Sequence, residues 1–330
     1  MESKNCRDGF GDRTGRFNWM VGAALISLSL PQMTLAAPSE IAIPGDHVYP
    51  ESITATSDGT LYISSLGDGM IFRVAPGGAK AEPFVPAGAN LMSVIGVLAD
   101  ERSGTLWACS SDLTAAGVKT AGGSGPPALK AFDLKSGSLK GGIAFPGGTG
   151  FCNDIVIGQD GSAYVTDTVN PRILRLKPGA REFDVWIESP VFGTKGFNLD
   201  GIAFGGDGHL YVNTYEGAKL FRVAVKPDGS AGAITEIKTS APLDHPDGLG
   251  LIKGNTFLMI EGGGRLDRVT IEGDTARIEV LKDGLKTPVA VIQVGNIAWA
   301  LEGQLDVLFD PAKKGTSPAP FRAIAVPLMQ

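Results

Sequence analysis

Apolar and polar positions alternate in short bursts along this chain, and the bursts repeat. Glu51-Ser-Ile-Thr-Ala-Thr-Ser-Asp-Gly-Thr-Leu-Tyr62 aligns without a gap on Asn153-Asp-Ile-Val-Ile-Gly-Gln-Asp-Gly-Ser-Ala-Tyr164 and on Asp200-Gly-Ile-Ala-Phe-Gly-Gly-Asp-Gly-His-Leu-Tyr211. Gly96 to Trp107, Asp247 to Leu258 and Pro288 to Trp299 repeat the order of apolar stretch, turn and apolar stretch. The six starts lie 45, 57, 47, 47 and 41 residues apart. That is the period of propeller blades, each a four-stranded antiparallel sheet.

Each repeat reads as a β-hairpin. Asp58-Gly59, Asp160-Gly161 and Asp207-Gly208 supply the positive φ that a tight turn between strands requires, and Gly254-Asn255 and Gly295-Asn296 do so in later copies. A third strand follows over Met70 to Val74, Arg172 to Leu176 and Lys219 to Val225, with a weaker fourth such as Glu182 to Ile187. The last repeat has only Phe321 to Leu328 after its hairpin, so Glu40 to Ile43 is expected to supply its outer strand. That closure joins the two chain ends and removes exposed sheet edges. The expectation is an all-β, six-bladed β-propeller over residues 38–330, with no helix longer than a turn or two.

Residues 1–37 read differently. Arg13 and Arg16 precede an apolar run from Trp19 to Leu30, followed by small residues at Thr34, Ala36 and Ala37, the order of a cleavable secretory signal. The run is short for a spanning helix, an uncleaved anchor being the rival reading, and no later segment is long enough to span. A periplasmic or secreted protein is expected, with no membrane span after processing. The formal charge of -6 is spread without long acidic or basic runs, which argues against nucleic acid as a partner. A monomer or weak oligomer acting on a small molecule is the expectation. Beyond the leader remain Cys109 and Cys152, which either pair in an oxidising compartment or sit as two buried thiols.

The repeat turns one alignment column into chemistry. The residue opening each innermost strand lies at one height beside the axis, and the column reads Glu51, Gly96, Asn153, Asp200, Asp247 and Pro288. Three carboxylates and an amide converging on a channel repel one another unless a cation sits among them. An all-oxygen shell suits Ca²⁺, with Mg²⁺, Mn²⁺ or Zn²⁺ as alternatives. Taken singly, Asp200-Gly201 and Asp247-Gly248 are also ordinary turn pairs, and Glu51 reads equally as a rim charge. Their coincidence in one repeat phase favours a metal site at Glu51, Asn153, Asp200 and Asp247.

Pro50-Glu51-Ser52, Asn153-Asp154, Asp200-Gly201-Ile202-Ala203 and Pro246-Asp247-Gly248-Leu249 together resemble the senescence-marker-protein, gluconolactonase and luciferin-regenerating-enzyme family, over almost the whole mature chain. The resemblance implies a six-bladed propeller holding a divalent ion, usually calcium, and often hydrolysing lactones. It implies that Glu51 and Asp247 bind metal, that Asp247 also accepts a proton, and that Asn153 faces metal or substrate. Two departures stand out. Asp200 occupies a position where the family usually has Asn, which should tighten the ion and weaken its Lewis acidity. Leu301-Glu302-Gly303-Gln304 also differs from the better-known gluconolactonases.

Two classes of function follow. One is an exported metal-dependent hydrolase of lactones or esters, with Asp247 as general base and the metal polarising the carbonyl. The other is a non-catalytic propeller that binds a small molecule or a protein, the metal acting as a bolt. A serine or cysteine mechanism fits poorly, since the chain has no Gly-x-Ser-x-Gly elbow. Expected substrate contacts are His245, Lys195 and the polar residues ending the second strands, notably Asp167, Asn213 and Glu261. His245 reads equally as a solvent-exposed loop histidine, and the second-strand residues as ordinary strand ends. Asp112 to Pro127, rich in Gly, Ala and Pro, is a lid candidate, and Ser189 to Phe197 a second wall.

Overall fold

A computed structural model describes residues 38–313 and 315–328. The secretory leader expected over residues 1–37 lies outside the described residues. The described chain is all-β, with 24 strands, one short α-helix, Leu305–Phe309, and four single-turn 3-10 helices. Its strands form five sheets, four of four strands and one of eight. The larger sheet is two antiparallel four-stranded units whose outer strands meet in a two-residue parallel pairing, Lys238 with Thr275 and Thr239 with Ala276. The chain therefore reads as units 1 to 6 in chain order.

The first strands of these units are Pro50–Ala55, Ser93–Asp100, Cys152–Ile157, Leu199–Phe204, Pro246–Lys253 and Pro288–Val294. Each packs beside the next, and Pro288–Val294 returns to pack on Pro50–Ala55. Six hydrophobic clusters lie between successive units: Ile53 with Trp299, Val97 with Ile71, Ile155 with Leu129, Ile202 with Ile173, Phe257 with Tyr211, and Val291 with Ile260. Sheets thus stack face to face around a centre, because each has two apolar faces to bury. Removing one of the fully buried rings, such as Phe132 or Phe221, would cost about 3–5 kcal/mol.

The predicted third strands Met70–Val74, Arg172–Leu176 and Lys219–Val225 are present over those residues. Glu40–Ile43 pairs antiparallel with Phe321–Pro327 and forms the outer edge of unit 6, as expected from the missing strand. Arg322 secures that closure by donating to Glu302 of its own unit and to Glu40. Three boundaries differ from the sequence reading. Unit 2 begins at Ser93 and its second strand runs to Ser111, because Val94 and Cys109 are buried beyond the aligned window. The fourth strand of unit 3 is Asp184–Glu188, shifted toward the C-terminus.

Every first strand carries an irregularity near its start. The register slips between Pro50 and Ile53, Val94 and Val97, Cys152 and Ile155, Leu199 and Ile202, Pro246 and Leu249, and Pro288 and Ala290. Such a bulge re-aims a side chain and leaves a backbone group to be satisfied elsewhere. Ser64 and Thr166 supply that satisfaction, accepting from the N–H groups of Ser52 and Asp154. Adjacent first strands come so close here that a Cβ on Gly96 would lie 2.1 Å from the Asn153 carbonyl oxygen, and one on Gly201 2.3 Å from that of Asp247. Glycine at these two positions is a requirement of packing.

Candidate functional site

The bulges bring the sequence-predicted column together. Glu51, Asn153, Asp200 and Asp247 each follow the paired residue at the start of a bulge, and all line one cavity of about 330 Å³. All six first strands contribute to its wall, and no lysine, arginine or histidine lines it. The four side chains are 5–8% exposed, so their charge is held largely away from water. Asp154 lines the same cavity and was not assigned a role from sequence. Its carboxyl accepts from the N–H groups of Ile155 and Ile202, tying unit 3 to unit 4.

Burial and crowding raise the carboxyl pKa values of this tier. Asp200 is pushed up to about 7, first by burial and then by the charge of Asp154. Asp154 is pushed up to about 6 by burial. Glu51 and Asp247 stand well above the usual carboxylate range, again through burial first and then the charge of Asp200. Asp200 and Asp247 are neighbours in this tier, and the charge of Asp200 is the second cause that holds the Asp247 carboxyl up. Among the described residues no three His, Cys, Asp or Glu side chains stand together as a ligand shell. The donor set nevertheless fits a hard cation. It is all oxygen, it is crowded with acids, and it has no basic side chain to balance it.

Asn153 donates from Nδ2 to Thr168 Oγ1 at 2.8 Å, and that hydroxyl donates onward to the Leu199 carbonyl. Beside it, Cys152 forms a disulfide with Cys109 of unit 2, which resolves the alternative between a bond and two thiols. The strand carrying Asn153 is thereby fixed to unit 2 by a covalent bond and to unit 4 by hydrogen bonds.

The remaining expected contacts are placed elsewhere. Asp167 and Glu261 are fully buried and do not line the cavity. Asp167 accepts from the Phe151 N–H and from Arg172, and Glu261 from the Asp244 N–H and from Arg265. Glu302 does the same with the Lys286 N–H and Arg322. These acids act as staples that hold the loop entering a first strand against the end of the second. Asn213, also fully buried, donates from Nδ2 to the Asp247 carbonyl. His245 and Lys195 are exposed and outside the cavity lining. His245 sits in the left-handed backbone region at φ 54°, contacts Asp244 Oδ1 through Nδ1 at 2.7 Å, and stacks on Tyr215. Only the carbonyl of Lys195 is engaged, by Asn198 Nδ2.

Tyr215 follows Thr214, the last residue of the second strand of unit 4. Its hydroxyl pKa is raised far above the ordinary range by burial and then by Asp247 and Asp200, which places it close to the tier. The loop between the second and third strands of unit 6 is a further surprise. Its helix Leu305–Phe309 packs Leu305 and Leu308 against two clusters, one joining units 6 and 1 and one joining units 2 and 3.

No family model matches this sequence, and no curated protein resembles it closely enough to count as a relative. Solved structures do resemble it. A suspected gluconolactonase matches at a TM-score of 0.62 and 14% identity, covering 88% of this chain and 94% of its own. A gluconolactonase from Xanthomonas campestris matches at 0.60 and 16%, covering 86% and 87%. The chain has the gluconolactonase-type propeller fold. Virginiamycin B lyase from Staphylococcus aureus shares it at a TM-score of 0.57 and 15% identity, covering 88% of this chain and 98% of that one. One fold thus carries different chemistries, and identities this low speak to architecture alone. No helix among the described residues is long and apolar enough to cross a membrane.

Proposed function

We propose that the six units are the blades of one six-bladed propeller, and that its carboxylate tier hydrolyses lactones or related esters in an exported protein. The observation that carries this reading is the tier itself: Glu51, Asn153, Asp200 and Asp247, raised on equivalent bulges, meet in one cavity without a basic neighbour. A divalent cation of the calcium type, held by those four residues, would supply polarisation of the carbonyl and compensation of the developing oxyanion. Asp247 takes the proton of the attacking water. Asp154 and Asn213 hold the backbone on which Asp200 and Asp247 are mounted. His245 and Tyr215, stacked beside the loop that leads into Asp247, meet the substrate from the adjoining face, with Lys195 further out.

The disulfide between Cys109 and Cys152 supports export, since such bonds persist in oxidising compartments. A second reading, a non-catalytic propeller binding a small molecule, is favoured by the raised pKa values of Asp200 and Asp247, which let a proton take the place of a cation in the tier. Proton release from a lactone panel separates the two. The hydrolytic reading predicts turnover that Asp247→Asn reduces at least a hundredfold while the fold is kept, and turnover unchanged in that variant would overturn it.

A further inference from the structure

The ends of the second strands place one hydroxyl just outside the tier. Leu199 pairs with Thr214 and Pro246 with Glu261, so Tyr215 and Gly262 each lie one step beyond the level at which Asp200 and Asp247 begin their bulges. The Tyr215 N–H donates to the Asn198 carbonyl and the Gly262 N–H to that of His245, on the side from which the chain enters the first strands. From unit 4 the Tyr215 side chain reaches into unit 5. Its ring lies 4.9 Å from that of His245, and its hydroxyl oxygen stands 3.1 Å from the point a Cβ on Gly262 would occupy, so the glycine leaves room for it. Burial, then the charges of Asp247 and Asp200, act on this hydroxyl, and no hydrogen bond does. The hydroxyls of Tyr62 and Tyr211, by contrast, are engaged by the Leu134 carbonyl and by Asp207. Tyr215 is half-buried, and its O–H is a donor held beside the tier with no acceptor among the described residues.

We propose that Tyr215 is a further catalytic residue, its hydroxyl donating a hydrogen bond to the leaving oxygen of the substrate ester. This role rests on the hydrolytic reading above. In that reaction water adds to the carbonyl carbon as Asp247 takes one of its protons. The bond from that carbon to the ring or alkoxy oxygen then breaks, and the departing oxygen receives the proton from Asp247. Negative charge gathers on the departing oxygen as the bond breaks, and a donor already fixed there stabilises it. The carbonyl oxygen faces the tier in that reading, which leaves the departing oxygen for a donor standing outside the tier and next to Asp247. A phenol, with an ordinary pKa near about 10, carries its proton at neutral pH and keeps it through the step.

Tyr215→Phe keeps the ring beside His245 and removes only the donor. Two six-membered lactones read the effect: dihydrocoumarin releases a phenoxide, which departs readily, and δ-valerolactone an alkoxide, which does not. In the variant, kcat on δ-valerolactone is expected to fall about ten- to hundredfold, the worth of one hydrogen bond to a charged group, with KM little changed. Turnover of dihydrocoumarin should be nearly unaffected, a split that a merely structural role would not produce. Equal losses on both lactones, or none on either, would overturn the role and leave the hydrolytic reading in place. A wild-type protein that turns over neither lactone would sink that reading and the role with it.

Discussion

Asn213 donates from Nδ2 to the main-chain carbonyl of Asp247 across 2.6 Å, from the second strand of one unit to the first strand of the next. The same position one unit earlier is Thr166, whose hydroxyl donates to the Asp200 carbonyl, and one unit earlier still is Cys109, bonded to Cys152 beside Asn153. Three of the four tier residues are thus held from the preceding second strand, twice by a side chain on their own carbonyl and once by a disulfide.

The Asn213 contact is expected to matter for stability. Asn213→Ala leaves the Asp247 carbonyl buried without this donor, at a cost of about 1–3 kcal/mol. Urea unfolding measures it, and a midpoint unchanged from wild type would show that the bond is not needed to seat Asp247.

The Cys109–Cys152 bond closes a loop with a sequence separation of 43 residues. Replacing both cysteines with alanine is expected to lower stability by about 2–4 kcal/mol. The same protein should lose affinity for a divalent cation, because the strand bearing Asn153 is freed on one side. Melting curves and a calcium titration on the double variant check both parts.

A buried pair outside the tier gives a pH dependence. Asp267 and Glu261 are both fully buried, and among the described residues neither oxygen of Asp267 nor Oε1 of Glu261 has a hydrogen-bond partner. Arg265, on the other oxygen of Glu261, is the nearby cation, and Asp283 adds a further negative charge. The Asp267 carboxyl is pushed up to about 8, by burial first and Glu261 next. In the unfolded chain it titrates near about 3.9. Between those values the folded chain holds a proton that the unfolded chain has released, so stability falls as pH rises through this window and levels off above it. Asp267→Asn removes that proton requirement. Its melting temperature relative to wild type should rise between pH 5 and pH 9, and an unchanged difference would exclude a proton held on Asp267 in the folded chain.

Much of this architecture could be read from the chain because the repeat carries its own turn chemistry. Asp58-Gly59 and its counterparts mark the hairpins, and the deficit of one strand after Phe321 points to Glu40–Ile43. The tier was legible for the same reason, since gapless alignment puts its members in one column. The staple role of Asp167 and Glu261 was not, although each is followed within five residues by an arginine, Arg172 or Arg265. Only the hairpin register shows that these partners face each other and turn away from the cavity. Asp154 was passed over because its value lies in reaching the Ile202 N–H of the next unit, a contact between residues 48 apart in sequence. The bulges likewise leave no mark in the residue pattern, yet they decide where the carboxyl groups point.

The central claim is that the tier is a hard-cation site, and calorimetric titration of calcium into the protein tests it most directly. The account predicts one Ca²⁺ per chain, with binding abolished in Glu51→Gln/Asp200→Asn/Asp247→Asn while the melting profile stays cooperative. Calcium binding that persists in that triple variant, or a wild-type protein that takes up no divalent cation near neutral pH, would contradict it.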